Sequence, residues 1–582
     1  MKQKITWRKK GLVLLLMVCL VCGLAACGKG EQQEKKTGDT EGSGNKVEQE
    51  NTDDQKPKDN QDNQDKQNKD GEESGDTAYE FLLPLTEEPE ELSIWWVWSD
   101  PTGQKENLVE QPGQAALAEV TNVKIKYNNV MGQEANEKFG LLLASGDLPD
   151  MIREQPGSAS YPGGMELAVE DGIYLDLTDL YEKYMPHYKA LRESNETVRK
   201  DTITDSGKIV GIYSLRCNDE GTVCEELPWI GLQVRKDWLE KADLDTPVTI
   251  ADWEEMLTVF KEQFGAEAPL MLGKNGWYTY DAFLSAYGVS HDFYQENGVV
   301  KFGPAEEGYL SYLELMADWY QKGLIDPNFT SNDASFMTYF PEYINNGKTG
   351  VAILAYTLVG NYFYNMGSTT DPDFYLEAVN YPVLNEGEVS QTRCNSGMIT
   401  QNPVVVTTSC KNPELAVKWL DFLYTKEAME YQCYGVENET YTIDENGNYA
   451  YTDYIMENPD GRSREDMVNS NVLQDGTGII TWESVHKILR DDYTVEAKEI
   501  WAKDETSIMM PGKLTLTADE AALINLDVTS LQTARDEATV KVIMGNMTIE
   551  DYKKTVDSYY STMNLERCLS VYQAALDRYN AR

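Results

Sequence analysis

Apolar and polar positions divide the chain into three stretches. Lys2, Lys4, Arg8, Lys9 and Lys10 precede an apolar run from Gly11 to Gly23. That is the length of a signal-peptide core, short of the roughly 20 residues a spanning helix requires. Residues 28–78 then hold almost nothing apolar; their low-complexity heart is Asp53 to Asp70. Such a tract buries too little surface to offset its ordering entropy and reads as a flexible tether. From residue 79 the pattern becomes periodic. Leu92 to Ser99 predicts a strand ended by Asp100-Pro101, Gln114 to Val120 a helix, and Val123 to Tyr127 an alternating strand. A helix over about Ala135–Ala144 should close at Gly146, with Pro149 just beyond. This alternation predicts an α/β domain with a largely parallel sheet.

A second block opens near Trp229. Thr249 is placed to cap a helix whose Trp253, Met256, Leu257 and Phe260 share one face. Tyr309–Tyr320 is another amphipathic helix, stopped by Gly323 and Pro327, and Val351–Leu354 is an apolar strand. Asn412-Pro413 starts a further helix, Tyr441–Tyr451 reads as a hairpin turning at Asn446-Gly447, and the chain from about 515 is mostly helical. Leaving one α/β unit, building a second and returning would give two lobes joined by several crossings. No repeat of 20–50 residues is apparent.

At 582 residues the chain exceeds one ordinary core. Its net charge of −47 repels phosphate backbones, so nucleic-acid binding is excluded as a function class. By segment, residues 1–26 carry about +5 and residues 27–78 about −7, which leaves about −45 for residues 79–582. The acidity belongs to the folded part. His187, His291 and His486 are the only histidines, at no metal-ligand spacing, and beyond the N-terminal apolar run there is no HExxH or CxxC. No cofactor or metal is expected; Asp444–Asn448 has calcium-like composition but is too short for an EF-hand loop. Beyond the first thirty residues the cysteines are Cys217, Cys224, Cys394, Cys410, Cys433 and Cys568, too sparse for a disulfide framework. Cys217 and Cys224 either close a small loop or stand as free buried thiols.

Leu24-Ala25-Ala26-Cys27 resembles the lipobox of bacterial lipoproteins. The resemblance implies cleavage after residue 26 and diacylation of Cys27 through its sulfur, anchoring the chain to the outer face of a membrane. The alternative is plain Ala-x-Ala cleavage beside an incidental cysteine. Further motifs follow in order: Leu143-Ala-Ser-Gly-Asp-Leu-Pro-Asp150, Val234-Arg-Lys-Asp-Trp-Leu239, Trp319 to Phe329, Asn412 to Leu423, Tyr434-Gly-Val-Glu437 and Ala575 to Asn580. Together they resemble the family 1 extracellular solute-binding proteins of bacterial ABC importers, in particular the large LipO/LplA-like lipoproteins of Gram-positive bacteria. One departure is Asn438, where that branch usually has glycine after the Glu of its Tyr-Gly-x-Glu turn; it leaves Glu437 less secure as a binding residue.

The resemblance implies an α/β, two-lobed clamp over residues 79–582 that closes on a ligand, most often a carbohydrate, and docks on separate permease subunits. It implies binding without catalysis, by a monomer. The chain's lack of a GxxxxGK[ST] loop agrees with that division of labour. Sugar rings call for aromatic platforms and for planar groups that bond paired hydroxyls. On that chemistry the candidates are Trp98, Ser99, Ser145, Asp147, Arg216, Trp229, Trp277, Tyr356, Asn361, Arg393 and Glu437. Trp98, Ser99, Tyr356 and Asn361 lie near strand ends, Ser145 and Asp147 in a loop before a strand, and Trp277 in a loop with Tyr278. Core packing is the bland alternative for Trp98, and helix capping for Asp147; Trp95, Trp96, Asp326 and Trp319 read as structural. The acidic balance favours a neutral oligosaccharide. Two rival functions are a surface glycoside hydrolase with paired carboxylates, for which no motif singles out a pair, and a ligand-presenting sensor or adhesin.

Overall fold

The computed structural model describes residues 79–97, 111–271, 277–331, 343–344, 346–355, 371–458, 461–473, 476–488 and 493–582. The chain divides into Met1–Gly75 and Asp76–Arg582, and every described residue belongs to the second unit. In chain order its strands are β1 (Glu90–Val97), β2 (Val123–Val130), β3 (Met151–Arg153), β4 (Gly211–Ile212), β5 (Leu215–Cys217), β6 (Leu227–Pro228) and β7 (Ile230–Arg235). Then come β8 (Phe293–Glu296), β9 (Val299–Phe302), β10 (Val351–Ala355), β11 (Leu376–Val379) and β12 (Asn395–Ser396). The last are β13 (Val404–Val406), β14 (Tyr441–Ile443), β15 (Tyr449–Tyr451) and β16 (Ile479–Thr481).

Two sheets organise the unit. The first has the order β2-β1-β3-β13-β4. β1 lies parallel to β2 and β3, in register Leu92↔Ile125 and Ile94↔Met151. Alternation along β1 sends Ile94 and Trp96 into one apolar cluster and Trp95 and Val97 into the other, so both tryptophans are core. The second sheet, β10-β7-β11, is antiparallel throughout.

The expectation of largely parallel pairing holds only for β2-β1-β3. β13 runs antiparallel to β3 and β4, because it re-enters the first sheet from the edge at which β4 leaves. The same constraint sets the second sheet: β7 enters from the crossing, and β10 and β11 both run back toward it.

Local signals build the helices as predicted. Helix Ala135–Ser145 ends on Gly146 at φ 68°, and helix Glu307–Lys322 on Gly323 at φ 67°. These are left-handed positions that glycine adopts without a Cβ penalty. Thr249 caps helix Ile250–Phe264: its hydroxyl accepts from Asp252 N (3.3 Å), and the Asp252 carboxylate accepts from Thr249 N (2.8 Å). The face Trp253, Met256, Leu257 and Phe260 is buried, with Trp319 and Phe283, in the core of the second sheet. Asn412 caps helix Pro413–Phe422, and β14 and β15 form the expected hairpin with Gly447 at φ 87°.

Three stretches of chain pass between the two cores. The first runs from β4 through β5 and β6 into β7. The second runs from β11 through β12 to β13, with β12 antiparallel to β6. The third starts at β16, parallel to β5, and passes through Trp482–His486 to helix Tyr493–Trp501, whose Trp501 packs with Leu376 and Ala378 of β11. Helices Ala518–Ile543, Ile549–Ser561 and Leu565–Ala581 complete the second lobe. Among the described residues no helix is long and apolar enough to cross a membrane.

Candidate functional site

Open α/β sheets place ligands beyond the carboxyl ends of their strands. In the first sheet those ends are Val97, Val130, Arg153 and Ile212. Glu154 and Tyr213 therefore stand at the functional edge, and both border a cavity of about 640 Å³. One wall comes from the first lobe, including Tyr161, Asp201 and Tyr213; the other comes from Lys513–Asp519 and Arg582, which precede and end the C-terminal helices.

The polar groups here are buried and mutually held. Glu154 Oε1 accepts from Tyr161 N (2.9 Å) and Tyr174 OH (2.8 Å). Burial pushes its carboxyl up from the usual range, with those bonds and the Lys513 charge pulling back. Asp201 is also pushed up by burial, although it accepts from Tyr579 OH at 2.7 Å. The Lys513 ammonium lies 4.8 Å from the centre of the Tyr213 ring. Burial brings it down to about 8, against the pull of Asp201 and Glu154. Arg582 closes the rim through Asp205 Oδ1 (2.7 Å). Glu154, Asp201 and Lys513 are thus shifted toward their neutral forms, whereas, against burial, hydrogen bonds from Ser206 and from Arg582 hold Glu166 and Asp205 of the same lining in their charged forms. Such a lining suits hydroxyls better than it suits a full ionic charge.

The sequence-chosen residues fall in four places. Arg216, Trp229 and Arg393 come together at the crossings. Arg216 Nη1 donates to the carbonyls of Gly397 and Ile399, both at 2.7 Å, and its guanidinium lies 5.4 Å from the Trp482 ring centre. Arg393 Nη1 donates to the carbonyls of Ala502 (2.9 Å) and Asp504 (2.8 Å), and Nη2 lies 3.5 Å from Glu226. Trp229 is half-buried against both apolar clusters of the second lobe. These arginines fasten one crossing segment to the next.

Ser145 and Asp147 sit elsewhere. Asp150, three residues on, accepts from Ser93 N at 2.8 Å, so the loop before β3 lies at the amino-terminal edge of the sheet. Ser145 Oγ donates to Leu142 O (2.8 Å) and accepts from Asp147 N (3.1 Å), an exposed helix end. The carboxyl-edge rule points to Glu154, at the other end of β3. Glu437 is exposed in the turn before β14; Asn438 holds φ 64°, so it supplies the left-handed conformation the glycine would have given. Trp277 and Tyr278 open helix Trp277–Leu284 rather than lying in a loop. Trp98, Ser99, Tyr356 and Asn361 lie outside the described residues.

The cavity brings together Glu154, Asp201 and Lys513, which the sequence does not single out. Glu154 was within reach, since it follows β3 at the carboxyl edge. Asp326 and Trp319 are structural, as expected: Asp326 Oδ1 accepts from Asn328 N (2.9 Å) and Trp319 donates to Glu254 (3.0 Å). Among the described residues no cluster of three or more His, Cys, Asp or Glu is arranged to hold a metal.

Residues 98–430 match the family model of the bacterial extracellular solute-binding proteins. The chain belongs to this family. Its relatives include Lipoprotein LipO of Bacillus subtilis (strain 168), 27% identical over 254 residues, or 42% of this chain and 46% of LipO. A second is the fructooligosaccharide ABC transporter substrate-binding protein FusA of Streptococcus pneumoniae serotype 4, 26% identical over 342 residues, 56% of this chain and 59% of FusA. The chain thus spans about half the length of these two relatives. Among solved structures, an HMO-binding ABC-transporter-associated solute-binding protein of Bifidobacterium longum infantis superposes with TM-score 0.66 at 17% identity, covering 85% of this chain and 99% of that one. The fold is that of the two-lobed solute-binding clamps.

Proposed function

We propose that this extracellular solute-binding protein captures a neutral oligosaccharide between its lobes and delivers it to an ABC permease from a lipid anchor at Cys27. The observation that carries the reading is the cavity beyond Glu154 and Tyr213, because its two walls come from different lobes. A ligand touching both favours the closed arrangement by its differential contacts, which is what a docking permease would read. Tyr161 and Tyr213 supply ring faces, and Glu154, Asp201 and Lys513 supply hydroxyl partners. FusA and the Bifidobacterium protein, named for fructooligosaccharide and HMO binding, support a sugar of this kind. No reaction is assigned.

Calorimetry against a panel of fructooligosaccharides, milk-type oligosaccharides and polygalacturonate tests the ligand. Saturable heat with a neutral oligosaccharide, unchanged on recovery, is expected. Heat with polygalacturonate alone, or release of shorter sugars, would overturn the reading. For the anchor, Cys27→Ala should move the protein from the membrane fraction to the medium.

A further inference from the structure

We propose that Cys217 and Cys224 are joined as a disulfide in the extracellular protein, closing the hairpin that begins the first crossing. The two residues face each other as an antiparallel pair. Asn218 N donates to Val223 O and Glu225 N donates to Arg216 O, each at 3.0 Å, on either side of them. They therefore occupy a non-hydrogen-bonded site, where opposed Cα atoms lie about 4.5 Å apart, inside the span a disulfide accepts. Their sulfurs are already 3.6 Å apart, so side-chain rotation alone closes the bond.

The turn is built independently of that bond. Asn218 Oδ1 accepts from Thr222 N (2.9 Å) and Val223 N (3.1 Å), and Gly221 takes φ 67°. Both thiols are buried, so reductant reaches a formed bond as the chain opens. The hydrogen bond Cys217 donates favours the Cys224 thiolate, which makes Cys224 the attacking sulfur. The oxidant is an external disulfide, RSSR, of a thiol–disulfide oxidoreductase or a low-mass thiol. The Cys224 thiolate attacks one of its sulfurs and expels RS⁻. Cys217, losing its proton, then attacks Cys224 Sγ and expels the second RS⁻. Two thiols and RSSR become one cystine and two RSH.

The bond would pin β5 and Arg216 with it, leaving bending between the lobes to β6 and β12. The competing partner is Cys433, whose thiol donates to Ile479 O at 3.5 Å and which is near enough to Cys217 to act on it electrostatically.

Trypsin releases both cysteines in one peptide, Cys217–Arg235. The full chain, collected from the exterior without reductant, is unfolded in guanidinium with N-ethylmaleimide and digested. The peptide is expected unlabelled and two hydrogens lighter, taking two labels only after reduction, with Cys433 labelled throughout. Cys217→Ser and Cys224→Ser should each expose the remaining thiol to label. Reductant present throughout a slow melt should lower the wild-type melting temperature by about 2 °C and leave the double serine variant unmoved. Two labels on Cys217–Arg235 before reduction, a Cys217–Cys433 crosslink, or a wild-type melting temperature indifferent to reductant would each overturn the proposal.

Discussion

The crossings and the cavity use charged side chains for opposite ends. At the crossings, Arg216 and Arg393 aim their donors at four backbone carbonyls of neighbouring segments. At the cavity, Glu154 and Asp201 are buried and Lys513 is half-buried, yet all three border open volume. A polar group that spends its hydrogen bonds on backbone holds the fold. One that keeps capacity beside space can exchange partners with a ligand. The distinction predicts that substitutions at the crossings move stability, and substitutions at the cavity move binding.

The largest effect is expected at Gly231, the second residue of β7 and the first stride into the second lobe. A Cβ there would lie 2.1 Å from the Trp501 indole, whose Nε1 donates to Leu232 O at 3.2 Å. Neither ring nor strand can yield without losing that bond, so Gly231→Ala should cost about 4 kcal/mol in a urea titration. A loss below about 1 kcal/mol would mean that the third crossing is not firmly seated on β7. Next, Arg393→Ala removes two donors and strands the carbonyls of Ala502 and Asp504; about 3 kcal/mol should vanish. Ligand affinity, measured on the folded fraction, should change little. A tenfold weaker ligand with unchanged stability would move Arg393 from the crossing to the site.

Asp504 gives a smaller, pH-dependent effect. It is 4% exposed and accepts from Tyr381 N at 3.1 Å. Burial raises its carboxyl to about 7, with the Tyr381 and Asn380 bonds and Arg393 opposing. Because the folded value exceeds the unfolded one, the folded state binds the proton more tightly. Its stabilisation is therefore complete below about pH 4 and lost as pH rises through about 7. Asp504→Asn should remove that slope and stabilise the protein at pH 8 by about 2 kcal/mol. A variant with an unaltered pH–stability curve would show that another group titrates there.

What was legible in the sequence follows the range of the interaction responsible. Gly146, Thr249 and Gly323 act within a few residues, and each terminates or caps a helix where the sequence says it should. The direction of β13 was not legible, because it depends on which edge the chain returns to after building a second lobe. For the candidate site, an arginine after a strand or in a polar loop reads alike whether it faces a sugar or a carbonyl, so the backbone bonds of Arg216 and Arg393 were not legible. Glu154 and Lys513 stand far apart in the chain and meet only in the fold. The strand-end rule was sufficient for Glu154, had it been applied to the end of β3 rather than its start.

The least disruptive test, and the most diagnostic of the comparison, is Lys513→Met. Methionine keeps much of the stem that packs over Tyr213 while deleting the charge and its donors. Stability at pH 7 should not fall and should rise by about 1 kcal/mol, since burial costs the ammonium more than Asp201 and Glu154 return. Affinity for the oligosaccharide should fall about tenfold, or about 1.4 kcal/mol. The wild type carries its own control. With the ammonium at about 8, donor capacity declines as pH rises through that value, so affinity should weaken between pH 7 and 9. Lys513→Met should be flat across the same interval. Were the variant to lose stability and keep its affinity, Lys513 would belong with the arginines of the crossings, and the division between holding and exchanging would have to be redrawn through the cavity itself.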